Sequence, residues 1–264
     1  MYVDLNEITF IIVSFKSRKV IFNCIDSLPR FSNIIVIENS LDKELKRELE
    51  TKYDNIEVIL SDNLGMGTSN NIGIKKSNTK FVFVLNPDVI LKENAISQII
   101  ENLKLIEDFS ILSPINDNEN FPNYRINNNY SYINENIIEV DNVDGFSMLI
   151  NKSKFKNQNF FDENFFLYLE NADLCLRQKK IKKRIFIFKN SKIRHIGSYS
   201  TKQDLSKNLE YLRNWHWMWS KFYYNKKHYG YLTALTKTSH HLISSILKYF
   251  LYTLLFNKHR KKVY

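Results

Sequence analysis

Asp88 closes the run Asn86-Pro87-Asp88 directly after five apolar residues, Phe81-Val82-Phe83-Val84-Leu85. Pro87 turns Asn86 away from helical backbone, so the carboxylate stands just past an extended segment. There it can hold a hard divalent cation, which takes oxygen ligands and neutralises phosphate charge, or it can cap a turn or helix. Leu169-Glu170-Asn171-Ala172-Asp173-Leu174 sets Glu170 and Asp173 three apart, on one face of a helix. Two such carboxylates can divide into a general base and its orienting partner, or form a solvated face with Arg177 closing an ion pair. His195, in Arg194-His195-Ile196-Gly197-Ser198, is the sole histidine before residue 211. It can ligate a metal, bind phosphate or serve the structure. The stretch Asn63-Leu64-Gly65-Met66-Gly67-Thr68-Ser69-Asn70-Asn71-Ile72-Gly73 has Asn70 at the third glycine position of a dinucleotide fingerprint, so it is not one. Its glycines allow either close approach of backbone to an anion at a helix start or a tight turn.

These residues need elements to position them. Ile8–Ser14, Asn33–Glu38, Ile56–Leu60 and Phe81–Leu85 read as short buried strands. Between them, Val20 to Leu28, Leu41 to Lys52 and Thr68 to Lys76 read as helices, and Ile96 to Ile106 follows at helical spacing. The alternation predicts an α/β fold with a mostly parallel central sheet flanked by helices. Ligands of such sheets bind at the carboxyl ends of the strands. The clusters Ser14-Phe15-Lys16-Ser17, Glu38-Asn39-Ser40 and Asn86-Pro87-Asp88 fall at those ends. Residues 116–142 are polar and weakly patterned, a long loop or hairpin insertion. A strand around Val143 to Ile150, a helix from Phe165 to Gln178 and a last strand over Arg184 to Phe188 complete the pattern.

Charge divides the chain differently. The 264 residues carry a net charge of +10, yet residues 1–210 hold equal numbers of acidic and basic side chains. Residues 211–264 hold ten basic side chains and no acidic one, together with Trp215, Trp217 and Trp219 and five of the six histidines. The expected division is therefore a catalytic domain over 1–210 and a helical, basic, aromatic tail over 211–264, suited to an anionic surface. The hydrophobic fraction of 44% excludes a disordered or collagenous chain. Two cysteines exclude a disulfide framework and a four-cysteine zinc site. The start, Met1-Tyr2-Val3-Asp4, is acidic where a leader would be basic, and lysines cut the apolar runs of the tail well short of a membrane span. The expected location is the cytoplasm, with the tail peripheral on the inner face of the cell membrane and no nucleic-acid partner.

Taken in order, the motifs resemble those of the family 2 inverting glycosyltransferases of GT-A fold, in the bacterial rhamnosyltransferase-like branch. The likeness covers about residues 8–200. It rests on Ile12-Val13-Ser14-Phe15-Lys16-Ser17, Ile37-Glu38-Asn39-Ser40, Asn63 to Gly73, Leu85-Asn86-Pro87-Asp88, Gly145-Phe146-Ser147-Met148-Leu149-Ile150, Phe161 to Arg177, and His195-Ile196-Gly197-Ser198. The resemblance implies a GT-A, Rossmann-like fold and a metal-dependent hexosyltransferase. Such an enzyme moves a sugar, with inversion, from a nucleoside diphosphate sugar to a saccharide acceptor or a lipid-linked one, in surface polysaccharide synthesis. It implies that Glu38 and the Ser14–Phe15 region take the nucleoside, and that Asn63, Gly65 and Asn71 line the donor side. It also implies that Gly145 leaves room for the sugar, and that Asp88 and His195 hold Mg2+ or Mn2+ on the diphosphate. The family has Glu-Asp where this chain has Glu170-Asn171, and the Asp is the usual base. An amide takes no proton at neutral pH, so the base falls to Glu170, with Asp173 the other candidate, and an aspartate at 171 would restore the family pair. The alternative is a catalytically impaired relative that binds nucleotide sugar or scaffolds a membrane complex.

Overall fold

A computed structural model of the protein describes residues 4–126, 131–197, 203–257 and 260–261, with the side chains of 203–209 and 211 left aside. Met1–Val3, Ser198 of the last motif, and Lys258 and Lys262 of the basic end lie outside the described residues. The chain divides into two compact units. One comprises Met1–Glu163 with Glu170–Ser200, the other Asn164–Leu169 with Thr201–Tyr264.

In the first unit, strands and helices alternate: β1 (Ile8–Ser14), α1 (Arg18–Asp26), β2 (Asn33–Glu38), α2 (Lys43–Lys52), β3 (Ile56–Leu60), α3 (Met66–Lys76) and β4 (Phe81–Leu85). Then come β5 (Val89–Leu91), α4 (Ala95–Leu103), β6 (Ile111–Asn116), β7 (Tyr124–Arg125), β8 (Tyr132–Asn134), β9 (Ile137–Glu139), β10 (Asn142–Val143), β11 (Ser147–Asn151), α5 (Glu170–Lys180) and β12 (Ile185–His195). Among the described residues one large sheet runs in the order β3-β2-β1-β4-β11-β6-β12-β9-β8, with β5 also on β12. Strands β1 to β4, β6 and β12 point the same way, because β11 is antiparallel to both β4 and β6 and so restores the direction across it. This is the mostly parallel α/β sheet expected from the alternation.

Period-two alternation decides which helices cover which face. Phe10, Ile12, Val36, Phe83 and Leu85 pack into one core with residues of α1, α2 and α4. Ile11, Val82, Val84 and Ile150 pack into another with Ile74 of α3 and Leu174 of α5. Each fully buried Phe or Ile contributes about 1.5–3 kcal/mol. The sheet is thus apolar on both faces, and only its strand ends are free to be polar.

Two features differ from the expectation. The helix expected from Phe165 starts at Glu170, because Tyr168 and Leu169 sit in left-handed backbone (φ 72° and 65°) that no right-handed helix contains. The last strand runs beyond Phe188 to His195, its register shifting between Phe188 and Lys192. The 116–142 stretch, expected as a long loop or a hairpin insertion, holds an antiparallel hairpin of β8 and β9, and β9 also pairs with β12.

In the second unit, α6 (Gln203–Tyr229) and α7 (Tyr231–Leu254) pack on each other across a break at Gly230. The charge boundary at 210 falls inside α6. Among the described residues no helix is long and apolar enough to cross a membrane.

Candidate active site

The site is built on the carboxyl edge of the sheet. Ser14, the last residue of β1, pairs with Glu38, the last of β2, and Leu85, the last of β4, pairs with Ser147, the first of β11. After β4, Asn86 donates its backbone N–H to the Phe146 carbonyl at 2.9 Å, and Val89 donates to the Asn86 carbonyl at 3.2 Å. That tight turn aims Asp88 off the sheet edge. Antiparallel pairing of β5 with β12 then sets Val89 opposite His195, and the Ile196 N–H reaches the Asp88 carbonyl at 3.0 Å.

The pairing brings together two residues far apart in sequence. Asp88 Oδ1 lies 3.4 Å from His195 Nε2, with Asp88 buried and His195 half-buried. The imidazole is stacked on the Phe146 ring, centroid to centroid 4.0 Å. Nearby, burial pushes the Asp144 carboxyl above the usual range, while Arg125 and His195 pull it back. An oxygen and a nitrogen at this spacing are donors of the right kind for a divalent cation. Among the described residues there is no group of three or more His, Cys, Asp or Glu arranged as a metal cage.

At the strand ends lie buried polar atoms without a partner in the protein: Ser14 Oγ, Asn86 Oδ1 and Ser147 Oγ. Buried polar atoms are ordinarily satisfied, so a rim of orphans along one edge marks a place for a polar ligand. Ser147 and Phe146 were missed as site residues. Their signal was in the Gly145–Ile150 motif, once its strand is seen to begin beside Leu85. Asn86 was visible only as the companion of Asp88.

The expected nucleoside contacts are unevenly placed. Phe15 is half-buried at the edge, beside Lys16. Glu38 is wholly buried, and its carboxylate accepts from Ser40 N–H at 3.0 Å, Ser40 Oγ at 2.5 Å and Asp42 N–H at 2.7 Å. It fastens the turn into α2, whose own cap is Asp42 accepting from Leu45 N–H. Gly65 precedes α3 in left-handed backbone (φ 85°), with Asn63 exposed beside it, its Oδ1 3.4 Å from the Gly65 N–H. Asn71 faces inward. Its amide donates to Phe161 O at 2.8 Å and to Glu163 Oε1 at 3.0 Å, and its oxygen accepts from Phe161 N–H at 3.0 Å. Glu38 and Asn71 thus fasten the frame through these hydrogen bonds.

The two carboxylates of α5 have separate environments. Asp173 is fully buried and accepts from Arg177 Nε at 2.8 Å. Arg177 also holds the carbonyls of Asn159 and Phe160. Asp173 therefore braces a loop and is not placed to exchange a proton. Glu170 stands at the first turn of α5. The residue is half-buried, but its Oε2 is sealed from solvent and has no partner. Burial pushes its pKa up to about 7, against a small opposing pull from its own backbone N–H. Asn171 donates its amide to the Val143 carbonyl at 2.8 Å. At Gly145 the close neighbour is Asn171, whose Cβ would stand 3.2 Å from a Cβ at 145.

A model of the family described as Glycosyl transferase family 2 matches residues 9–189, from β1 into β12. The chain belongs to glycosyl transferase family 2. This family member is 27% identical over 205 residues to the low-salt glycan biosynthesis hexosyltransferase Agl10 of Haloferax volcanii, covering 67% of this chain and 62% of the relative. It is 26% identical over 174 residues to the rhamnosyltransferase WbbL of Escherichia coli K12, covering 54% and 65%. The chain thus spans just under two thirds of the length of these curated relatives. Among solved structures it is similar to GalNAc-T7 with UDP, GalNAc and Mn2+, at a TM-score of 0.60 and 12% identity, covering 85% of this chain and 52% of that one. It is also similar to S. aureus TarS 1-349, at 0.54 and 14%, covering 79% and 64%. At such identities these likenesses show the GT-A fold alone.

Proposed function

We propose that this family 2 protein transfers a hexosyl group, rhamnosyl among them, from a nucleoside diphosphate sugar to a hydroxyl of a saccharide or lipid-linked acceptor, with inversion, in the assembly of a surface glycan. The observation that carries the reading is the Asp88–His195 pair at 3.4 Å on an edge lined by orphaned polar atoms. The hexosyltransferase and rhamnosyltransferase names of the relatives support the donor class. The UDP and Mn2+ held by a fold neighbour support a nucleotide donor and a divalent ion.

Asp88 and His195 would hold Mg2+ or Mn2+. Bound there, the ion supplies charge neutralisation to the departing diphosphate. The chain's own residues do the rest. Ser14, Asn86 and Ser147 offer hydrogen bonds to the donor along the strand ends. Glu170 takes the proton of the acceptor hydroxyl on its carboxylate. The freed oxygen pair then forms the new bond to the anomeric carbon, while the sugar–phosphate bond opposite breaks and its electron pair leaves with the nucleoside diphosphate. A base with a pKa near 7 suits work at neutral pH.

We also propose that the protein lies on the cytoplasmic face of the membrane. Leu242, Ile243, Ile246, Leu247, Phe250 and Leu254 make an exposed apolar stripe on α7, within a segment that has ten basic residues and no acidic one. That stripe, with Trp215, suits an anionic lipid surface. Trp217, Trp219 and Tyr223 of α6 are less available, since each contacts the 164–169 segment.

The experiment is a screen of UDP-, dTDP- and GDP-sugars for transfer in the presence of Mn2+, with Asp88→Ala as the control. Donor binding without any transfer or donor hydrolysis would instead support the impaired, nucleotide-sugar-binding reading.

A further inference from the structure

Among the described residues β5 is three residues long and pairs with β12 alone. Strands commonly run about five or six residues, so β5 by itself is a weak support for the Asp88–His195 pair that it registers. One edge of the segment is spent on β12. The Ile196 N–H reaches the Asp88 carbonyl and the Lys92 N–H reaches the Lys192 carbonyl, each at 3.0 Å. Successive backbone groups of a strand point to opposite edges. The N–H groups of Val89 and Leu91 therefore face away from β12 and need partners elsewhere.

The end of α1 meets that need. Ser27, the cap residue of α1, accepts from the Leu91 N–H on its Oγ at 3.1 Å. The same hydroxyl donates to the Cys24 carbonyl at 2.6 Å, so its own helix fixes its direction. Val89 donates to the Asn86 carbonyl at 3.2 Å, and that carbonyl also accepts from the Cys24 thiol, Sγ to O 3.6 Å. Cys24 is fully buried. Burial, and then the nearby Asp88 carboxylate, push its thiol up, so it stays a neutral, weak donor. Cys24 and Ser27 stand three apart on one helix face. They hold the segment at both ends, Asn86 where it leaves β4 and Leu91 where β5 closes, with Asp88 between. Ile25 and Leu28 belong to the same apolar cluster as Val89 and Leu91.

We propose that Ser27 is a positioning residue for the metal-held donor: by fastening Leu91 it sets β5 against β12, and so fixes where the Asp88 carboxylate stands relative to His195. The role rests on Asp88 and His195 being the metal ligands, and Ser27 itself touches neither ion nor donor.

The test follows Mn2+ by electron paramagnetic resonance, titrated into the full-length protein with UDP, dTDP or GDP. Ser27→Ala, Ser27→Thr and Asp88→Ala are compared with wild type, each shown by thermal melting to be folded at the assay temperature. Loss of an outer partner of a metal ligand commonly costs about 10–100-fold in metal affinity. Ser27→Ala is therefore expected to weaken Mn2+ binding beside the diphosphate by about tenfold, with affinity for the same nucleotide in EDTA held within about twofold. Ser27→Thr, which keeps the hydroxyl, should bind Mn2+ within about twofold of wild type. Wild-type Mn2+ affinity in Ser27→Ala, or an equal loss in Ser27→Thr, would overturn the inference. So would a loss of nucleotide affinity as large in EDTA as with Mn2+, which is what a general loosening of the fold produces. Asp88→Ala separates the two levels. If it binds Mn2+ as wild type does, or if no diphosphate tightens Mn2+ binding to the wild type, the ligand assignment fails and takes the role of Ser27 with it. If Asp88→Ala loses the ion while Ser27→Ala keeps it, the positioning role alone is wrong.

Discussion

The side-chain amide of Asn171 donates to the backbone carbonyl of Val143 at 2.8 Å, and Gly145 lets the two segments lie that close. The resemblance implied that Asn171→Asp would restore the family pair. The geometry points the other way, because the substitution exchanges a donor for an acceptor facing an acceptor. Asn171→Asp is expected to lower stability by about 1–3 kcal/mol at neutral pH, the cost of an unmade buried hydrogen bond, and to bring no gain in rate. Urea unfolding beside a transfer assay checks both halves.

Glu170→Gln should lower kcat by about 10²–10⁴-fold, the worth of a positioned base. The same change should stabilise the protein in mild alkali. The folded-state pKa, about 7, stands above the ordinary value of 4.5. The residue's contribution to stability is therefore complete below pH 4.5 and lost as pH rises through about 7. A neutral amide escapes that loss, which amounts to about 3 kcal/mol at most. Melting curves of both proteins at pH 5 and pH 8 should coincide more nearly at the lower pH.

The pH dependence of transfer follows from the same carboxyl. The base works deprotonated, so kcat should fall on the acid side with a midpoint near 7. A midpoint in the ordinary carboxylate range would return the role to another group.

Asp88→Ala should abolish transfer and leave the fold standing, since the carboxylate sits at the strand edge outside the apolar clusters. The sharper readout is thermal shift with a nucleoside diphosphate and Mn2+ together. Ligand at a hundred times its Kd stabilises by about 2.7 kcal/mol. That shift should disappear in Asp88→Ala and in His195→Ala alike.

On the membrane, Leu247→Glu or Phe250→Glu should cut co-sedimentation of the full chain with vesicles containing anionic lipid, while neutral vesicles should bind wild type poorly. Basic residues near such a surface are worth about 1 kcal/mol each, and added salt should weaken the binding. Equal binding of wild type and variants would remove the α7 stripe from the interface.

The strands and their polar ends were legible because a strand buried on both faces leaves an apolar run that stops where ligand chemistry begins, as at Ser14 and at Leu85-Asn86-Pro87-Asp88. The Asp173–Arg177 ion pair was legible as one of two readings, since four residues is one helical turn. The bracing of the 159–160 loop through that pair was not, because it depends on Phe160 and Asn159 arriving from elsewhere to engage Arg177. Nor was the fastening role of Glu38 and Asn71. An acidic or amide side chain at a strand end or helix start reads alike whether it faces a ligand or the turn beneath it. The left-handed pair Tyr168–Leu169 left no mark in a stretch whose composition suits a helix.

The pairing of β5 with β12 joins Val89 to His195 across about a hundred residues of chain. A ribosome making this protein releases the strands of the β1–β4 layer well before the histidine that faces Asp88 has been synthesised. A polypeptide cut short by a stop codon ahead of β12 would lack not one ligand but the strand on which β5 is registered. Such a product would carry most of the sheet's recognisable sequence and lack the Asp88–His195 pair. The Asp88–His195 pair is therefore a feature that the chain acquires only once β12 has been made.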